Sequence, residues 1–170
     1  GLERDVRVGL LQVRDYERLE LCTSLADPLP PMALDLLELG PGELCSDDAL
    51  GCGRPVQREH RAVVRAMERA LGEQGLAYHL VDEQGPLARY ALLLVPGFAF
   101  MDAALVARLA DYCAAGGRIV LAPERPRLGR DGAPLDRTLE GAGVTRVEAA
   151  ADAPLAHVLA APLARALDAA

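Results

Sequence analysis

The sequence predicts an α/β fold in which an open, mostly parallel sheet carries helices on both faces. Three observations predict it. Short apolar runs alternate along the chain with segments of helical periodicity, which is the pattern of strand–helix–strand units. The run at 90–95 is unbroken, as expected for a central parallel strand that is buried on both faces. Glycine and proline residues separate the segments, as at Gly116 and Gly117.

The chain begins with a predicted strand at 6–13, and a long irregular excursion then runs from about 14 to 55. The excursion contains three of the four cysteines together with several prolines and glycines. A compact domain seldom contains so long a structureless connection unless the connection has a function or contacts a partner. Residues 32–39 are apolar enough for a short helix or an added strand, and the sequence leaves both interpretations open.

A helix is predicted over 57–71, because its apolar residues recur at spacings of three, four and seven. These residues are Val63, Val64, Met67, Ala70 and Leu71. A strand follows at 77–81, and a second one follows at 90–95, where Pro96 and Gly97 are expected to end it.

Asp102 is a predicted N-cap for a helix over 103–115, which the pair Gly116–Gly117 ends. The strand after it is expected at 118–122 and is stopped by Pro123.

For the last part of the chain we predict a turn-rich loop at 125–136, a short helix at 135–141, a strand at 144–147 and a helix at 154–167. This order of elements predicts a flavodoxin-like sheet. No internal repeat or second core is visible, so we expect one domain over residues 1–170.

Composition excludes several classes of protein. Of 170 residues 51% are hydrophobic and 25% are charged, which excludes a disordered chain. The formal net charge is −7, so we expect neither a nucleic-acid partner nor a membrane partner. All 18 basic residues are arginines, which we interpret as the result of GC-rich coding. No apolar run approaches the roughly 20 residues of a membrane span.

Two further expectations concern the origin and location of the chain. The start, Gly1 to Asp5, resembles neither a signal peptide nor an initiator methionine, so we expect a piece excised from a longer protein. The four cysteines do not have the number and spacing of a disulfide scaffold. Reduced thiols are therefore expected, and with them a cytoplasmic location.

The strand ends predict no catalytic residues. A hydrolase of this fold needs Ser or Cys on a tight strand-to-helix turn with a His nearby. The two central strands instead lead into 96–98 and 123–125, which contain neither nucleophile. Cys113 is predicted on the inner face of a helix, as a small buried apolar side chain. A Walker phosphate loop requires a lysine, which the sequence lacks.

Metal and cofactor sites are not predicted either. The three histidines, His60, His79 and His157, are scattered and have no Cys or carboxylate at the spacing of metal ligands. Cys45 and Cys52 are seven residues apart and form no CxxC motif. We expect no metal and no cofactor.

A ligand, if one binds, is expected beyond the carboxyl ends of the strands, where open parallel sheets bind their ligands. The candidate ligand-binding residues are Arg14, Asp15, Tyr16, Phe98, Glu124 and Arg125. Glu124 is the acidic residue of most interest because it follows a central strand. Its expected role is nevertheless structural, as a cap or as the partner of Arg125 or Arg14.

Three segments together resemble the middle domain of family-42 β-galactosidases, often called the trimerisation domain. They are Val8 to Tyr16 (VGLLQVRDY, followed by Glu17), the predicted helix at 57–71, and above all residues 87–124. Within the last segment, YALLLVP matches one block of the family pattern, and the tyrosine and GGRIVL of YCAAGGRIVL match the other. The resemblance extends over about two-thirds of the chain.

The sequence departs from this family at two places. The family usually continues its last matched strand into a short turn with Ser or Gly, whereas this chain has Pro123 to Pro126. Residues 18–55 align with nothing in the family, so its oligomer contacts are not transferred to them.

The resemblance implies a class I glutamine-amidotransferase-like three-layer sandwich without the catalytic residues of that fold. It implies a non-catalytic scaffolding domain of a glycoside hydrolase, whose catalytic glutamates belong to a barrel domain outside this chain. Expected partners are that barrel and further copies of the chain. The excursion, with Leu34, Leu36, Leu37 and Leu39, is the candidate contact surface, or else it covers the edge of its own sheet.

Two other functions remain open at this stage. The first is an amidotransferase-like hydrolase whose nucleophile is displaced to Cys22, Cys45 or Cys52. The second is a module that binds a small ligand at the strand ends. Arg14, Tyr16, Phe98 and Arg125 would form its site.

Overall fold

The computed structural model describes residues 6–17, 56–148 and 154–168. Residue contacts divide the chain into two units, one of Gly1–Val13 with Val63–Ala170 and the other of Arg14–Ala62. The second unit contains the predicted excursion. Most of that excursion lies outside the described residues, including the segment 32–39. The single domain over 1–170 stays a prediction.

Five parallel strands form one sheet within the described residues. They are β1 (Val8–Gln12), β2 (Tyr78–Asp82), β3 (Leu92–Gly97), β4 (Arg118–Pro123) and β5 (Val144–Arg146). Their order across the sheet is β2-β1-β3-β4-β5. This is the doubly wound order of flavodoxin-like folds, and it confirms the predicted fold class.

Three helices longer than one turn follow the predicted pattern in the described residues. They are α1 (Val56–Glu73), α2 (Ala103–Ala114) and α3 (Leu155–Asp168). Gln74, directly after α1, donates a side-chain amide hydrogen bond of 3.0 Å to the Ala160 carbonyl of α3. A short 3-10 helix at Leu87–Arg89, which the sequence did not predict, leads into β3. No helix among the described residues is long and apolar enough to cross a membrane.

The core lies on both faces of the central strands. Every residue of β3 is buried, and so are the four residues of β4 from Ile119 to Ala122. α1 adds Val63, Met67, Ala70 and Leu71, each at most 5% exposed. These residues are four of the five that its periodicity placed on the apolar face, so the helix prediction is confirmed.

Asp102 caps α2 as predicted. Its Oδ1 accepts hydrogen bonds from the backbone N–H groups of Ala104 and Leu105, at 2.8 and 3.1 Å. Such caps satisfy donors that the first helical turn leaves without a partner. At the other end, Gly116 adopts a φ of 97°, which ends the helix.

Tyr112 explains why a glycine stands directly before β4. Its ring lies against Gly117, where a Cβ atom would stand 2.3 Å from the ring carbons. Its hydroxyl donates a hydrogen bond of 3.1 Å to the Tyr90 carbonyl, just before β3. The tyrosine thereby ties α2 to the amino ends of both central strands, and only glycine at 117 leaves room for it.

Pro96 and Gly97 do not end β3, contrary to the prediction. Both continue the ladder, with Pro96 opposite Ala122 and Gly97 opposite Pro123. A Cβ atom on Gly97 would lie 2.4 Å from the Glu124 carbonyl oxygen. A glycine here lets the two strands stay paired to their last residues, because the neighbouring backbone occupies the space of a side chain.

The predicted helix at 135–141 is also wrong. These residues form bends and irregular backbone, and Gly141 adopts a φ of 104°. Leu139 is the segment's one buried residue, so no apolar helical stripe exists to pack against the sheet. The Leu135 N–H donates instead to the Arg127 carbonyl, at 2.9 Å.

We expect Gly97→Ala to lower the free energy of unfolding by about 1–3 kcal/mol, because the new methyl group displaces the Glu124 backbone. Gly72→Ala in α1 is the matched control. No atom lies within 4 Å of its added Cβ, so stability should stay constant or rise by up to about 1 kcal/mol. Urea unfolding of the three proteins measures both effects. Equal stability of Gly97→Ala and the unaltered chain would contradict the close approach.

Candidate functional site

The six predicted site residues lie directly after β1, β3 and β4, as the sequence indicated. Arg14, Asp15 and Tyr16 belong to the unit Arg14–Ala62, and the other three belong to the other unit. The two groups are therefore described separately. Their role in binding a ligand stays a prediction.

Arg14, Asp15 and Tyr16 lie in a helical segment at 14–17. Tyr16 is fully buried. Its ring centroid lies 5.6 Å from that of His60, with the ring planes inclined by 57°. Both rings are buried, so the contact is a packing interaction between them.

Phe98, Glu124 and Arg125 have different environments. Phe98 is 3% exposed and therefore belongs to the core. The Glu124 backbone N–H donates a hydrogen bond of 3.0 Å to the Gly97 carbonyl, which extends the β3–β4 ladder by one step. Arg125 forms an ion pair with Glu140, a residue of the segment where a helix was expected.

A polar cleft of about 400 Å³ opens at the carboxyl ends of β4 and β5. Its lining consists of charged residues and one hydroxyl: Glu124, Arg125, Arg127, Thr138, Glu140 and Arg146. Two of these, Glu124 and Arg125, are among the predicted site residues. The cleft thus brings three guanidinium groups and two carboxylates to one edge of the sheet.

Sequence reasoning missed Arg127, Thr138, Glu140 and Arg146. A signal existed for Arg127, because PERPRLGR holds three arginines directly after a central strand. Nothing in the sequence connected Thr138 or Glu140 with it, since the chain returns to this edge through irregular backbone.

A second cleft, of about 300 Å³, opens at the amino ends of β3 and β4. Its lining is mostly small: Ala88, Tyr90, Ala91, Tyr112, Ala115, Gly116 and Gly117. Burial raises the pKa of Tyr112 to about 12, so its hydroxyl stays protonated and keeps donating to the Tyr90 carbonyl. We attribute this cleft to the packing of the Tyr112 ring against Gly117 and do not treat it as a ligand site.

The thiol of Cys113 lies in an environment that keeps it protonated and therefore a poor nucleophile. Burial raises its pKa from the usual 9.0 to about 11, whereas reactive cysteines have a lowered pKa. The residue is free and half-buried, and its sulfur lies 3.9 Å from the Gly143 carbonyl oxygen. This environment agrees with the structural role predicted for it. Cys22, Cys45 and Cys52 lie outside the described residues.

Two of the three histidines lie next to tyrosine rings. His60 contacts Tyr16, and His79 Nδ1 lies 3.3 Å from the Tyr90 hydroxyl. Across residues 6–17, 56–148 and 154–168, no three His, Cys, Asp or Glu side chains are grouped so that they could hold a metal ion.

Comparison with known proteins gives one family and several solved structures. A family model described as GLMA-like, second domain, matches residues 51–164. No curated protein sequence matches the chain.

Three solved structures resemble the chain. Gan42B, a GH42 β-galactosidase, is 13% identical, with a TM-score of 0.50 over 78% of this chain and 16% of its own. The β-galactosidase from Bifidobacterium adolescentis is 19% identical, with a TM-score of 0.47 over 76% of this chain and 45% of its own. That from the psychrophilic Marinomonas ef1 is 22% identical, with a TM-score of 0.44 over 90% of this chain and 17% of its own. The chain therefore spans less than half of the solved chains it matches.

We expect stability to fall as pH rises from about 9 to 12. Below this window both Cys113 and Tyr112 are neutral whether the chain is folded or not. Within it the unfolded thiol and phenol, with usual pKa values of 9.0 and 10.0, lose protons that the folded groups still hold. Urea unfolding at stepped pH measures the decline.

Two variants assign this decline to its groups. Cys113→Ala should flatten the curve between about 9 and 11, and Tyr112→Phe should flatten it between about 10 and 12. Curves parallel to that of the unaltered chain would show that neither group retains its proton on folding.

Proposed function

This chain belongs to the family of GLMA-like second domains, and we propose that it serves a larger glycoside hydrolase as a non-catalytic domain that holds subunits together. The observation that carries the proposal is the family match, which spans residues 51–164 and so includes β2 to β5, α1, α2 and most of α3. The match also confirms the resemblance to the middle domain of family-42 β-galactosidases.

The environment of the strand ends supports a non-catalytic role. After β3 and β4 the chain presents a buried phenylalanine and a charged pair, Arg125 with Glu140. The one described cysteine is protonated and half-buried on α2. Nucleophilic catalysis requires a nucleophile within hydrogen-bond reach of an activating base, and the described residues directly after β3 and β4 include no Ser, Cys or His.

The parent protein is proposed to hydrolyse β-galactosides on a barrel domain that is not part of this sequence. Barrels of that kind need about 250 residues, which exceeds the whole chain. No residue of this chain takes over the acid, base or nucleophile of that reaction. The domain's contribution is to position the barrel and its neighbours.

Self-association is the finer part of the proposal. We infer a homo-oligomer of closed symmetry, in which one surface of the domain serves every subunit. Neither a nucleic acid nor a membrane is proposed as a partner, and no metal or cofactor is proposed. The free thiol of Cys113 supports a reducing, cytoplasmic location.

We expect the 170-residue chain alone to release no p-nitrophenol from p-nitrophenyl β-galactoside above the rate in buffer. The reason is that, in this proposal, the acid/base and nucleophile carboxylates that glycosidases use belong to the barrel domain. Absorbance at neutral pH measures the rate. Thiol-reactive labelling that finds Cys22, Cys45 or Cys52 reactive would instead support the amidotransferase-like hydrolase.

We expect sedimentation equilibrium to give the mass of an oligomer, which is a whole-number multiple of the 18.0 kDa monomer mass and larger than it. A double variant, Leu36→Asp with Leu37→Asp, should reduce that mass, because charges on a predicted apolar contact oppose association. Leu128→Asp is the control, since Leu128 is 38% exposed and lies outside the predicted contact.

The outcomes of this experiment separate two roles of the excursion. A smaller mass with unchanged thermal unfolding supports a contact between subunits. An unchanged mass with lower stability shows that the segment covers its own sheet. A monomeric unaltered chain would contradict self-association.

A further inference from the structure

We propose that the polar cleft at the ends of β4 and β5 binds a small anionic sugar, meaning a polyhydroxylated ligand with one carboxylate or phosphate group. Three guanidinium groups, two carboxylates and a hydroxyl converge there on a space of about 400 Å³. That volume lies within the range of about 300–1,000 Å³ typical of small-molecule sites. Such a site is independent of the association proposed above, and either can exist without the other.

The cleft has a fixed backbone on its β4 side. The Glu124 N–H donates to the Gly97 carbonyl at 3.0 Å, and the Arg127 N–H donates to the Ala99 carbonyl at 2.8 Å. The Arg127 carbonyl in turn accepts a bond of 2.9 Å from Leu135. Side chains on a backbone fixed in this way lose less freedom when a ligand arrives, which favours binding.

Charge points to an anionic ligand. The protein carries a net charge of −7, yet the cleft is lined by three arginines and only two glutamates. Guanidinium groups bind carboxylate and phosphate through two parallel hydrogen bonds. Arg127 and Arg146 are the residues we assign to the anion, because both side chains are exposed to solvent at the cleft.

The existing ion pair of Arg146 does not prevent this role. Its partner is Glu148, 2.8 Å away, and the two side chains are 40% and 71% exposed. Surface pairs of this kind contribute little to stability, so exchanging the carboxylate of Glu148 for that of a ligand costs little. Glu148 does not line the cleft.

The remaining lining groups suit hydroxyls. Glu124 offers carboxylate oxygens as acceptors, and the Thr138 hydroxyl both donates and accepts. Arg125 and Glu140 form an ion pair with each other within this lining.

Calorimetric titration of the 170-residue chain tests the proposal with four probes: D-glucuronate, D-glucose 6-phosphate, D-glucose and inorganic phosphate. We expect at least one anionic sugar to bind with a dissociation constant of about 1 mM or below. Glucose and inorganic phosphate should each bind roughly tenfold more weakly. Glucose has the hydroxyls but no anionic group, and inorganic phosphate has the anionic group but no sugar. If D-glucuronate binds more tightly, the cleft prefers a carboxylate. If D-glucose 6-phosphate binds more tightly, it prefers a phosphate.

Matched variants locate the binding. Arg127→Gln and Arg146→Gln should each weaken the anionic sugar roughly tenfold, the loss of one charge-assisted contact. Arg89→Gln removes the same charge from an exposed position outside the cleft and should change nothing. Thermal unfolding of each variant confirms that it is folded.

Three results would overturn the proposal. The first is no heat from either anionic sugar, and the second is binding of glucose or inorganic phosphate as tight as theirs. The third is equal loss of affinity in Arg89→Gln and Arg127→Gln, which would show a diffuse effect of net charge.

Discussion

The two central strands, β3 and β4, approach each other so closely at their carboxyl ends that no side chain fits between them. Gly97 meets the Glu124 carbonyl there, and the Glu124 N–H closes the ladder on the Gly97 carbonyl. This contact fixes where the chain leaves the sheet. Since Arg125 and Arg127 follow within three residues, the contact also sets the position of the polar cleft. The candidate site is thus a consequence of backbone packing.

A similar close approach occurs at the amino ends of the same strands. The Tyr112 ring occupies the space above Gly117, and its hydroxyl reaches the Tyr90 carbonyl. These residues belong to the motifs by which the sequence resembles its family. Their role in the structure is to tie a helix to two strands. The motifs therefore specify how these elements pack together.

The candidate site was predictable only in part. Glu124 and Arg125 were identified because the carboxyl ends of parallel strands share one edge of a sheet, which holds whatever the loops do. Thr138 and Glu140 were not, because they reach that edge through irregular backbone, where neither a period of two nor one of 3.6 exists to be recognised. Arg146 was missed although it ends β5, a strand that the sequence did predict. Phe98 was placed at the edge correctly, but its burial depends on neighbours that no local pattern reveals.

By itself, the sequence determined the alternation of strands and helices, the buried character of β3 and β4, and the cap of α2 by Asp102. Each of these follows from residues within about one turn or one strand of each other, so local pattern is sufficient. Tertiary structure alone decided that Pro96 and Gly97 stay in the sheet, that 135–141 is not helical, and that six polar residues from three segments line one cleft. Those outcomes depend on contacts between residues far apart in the chain, which periodicity does not encode.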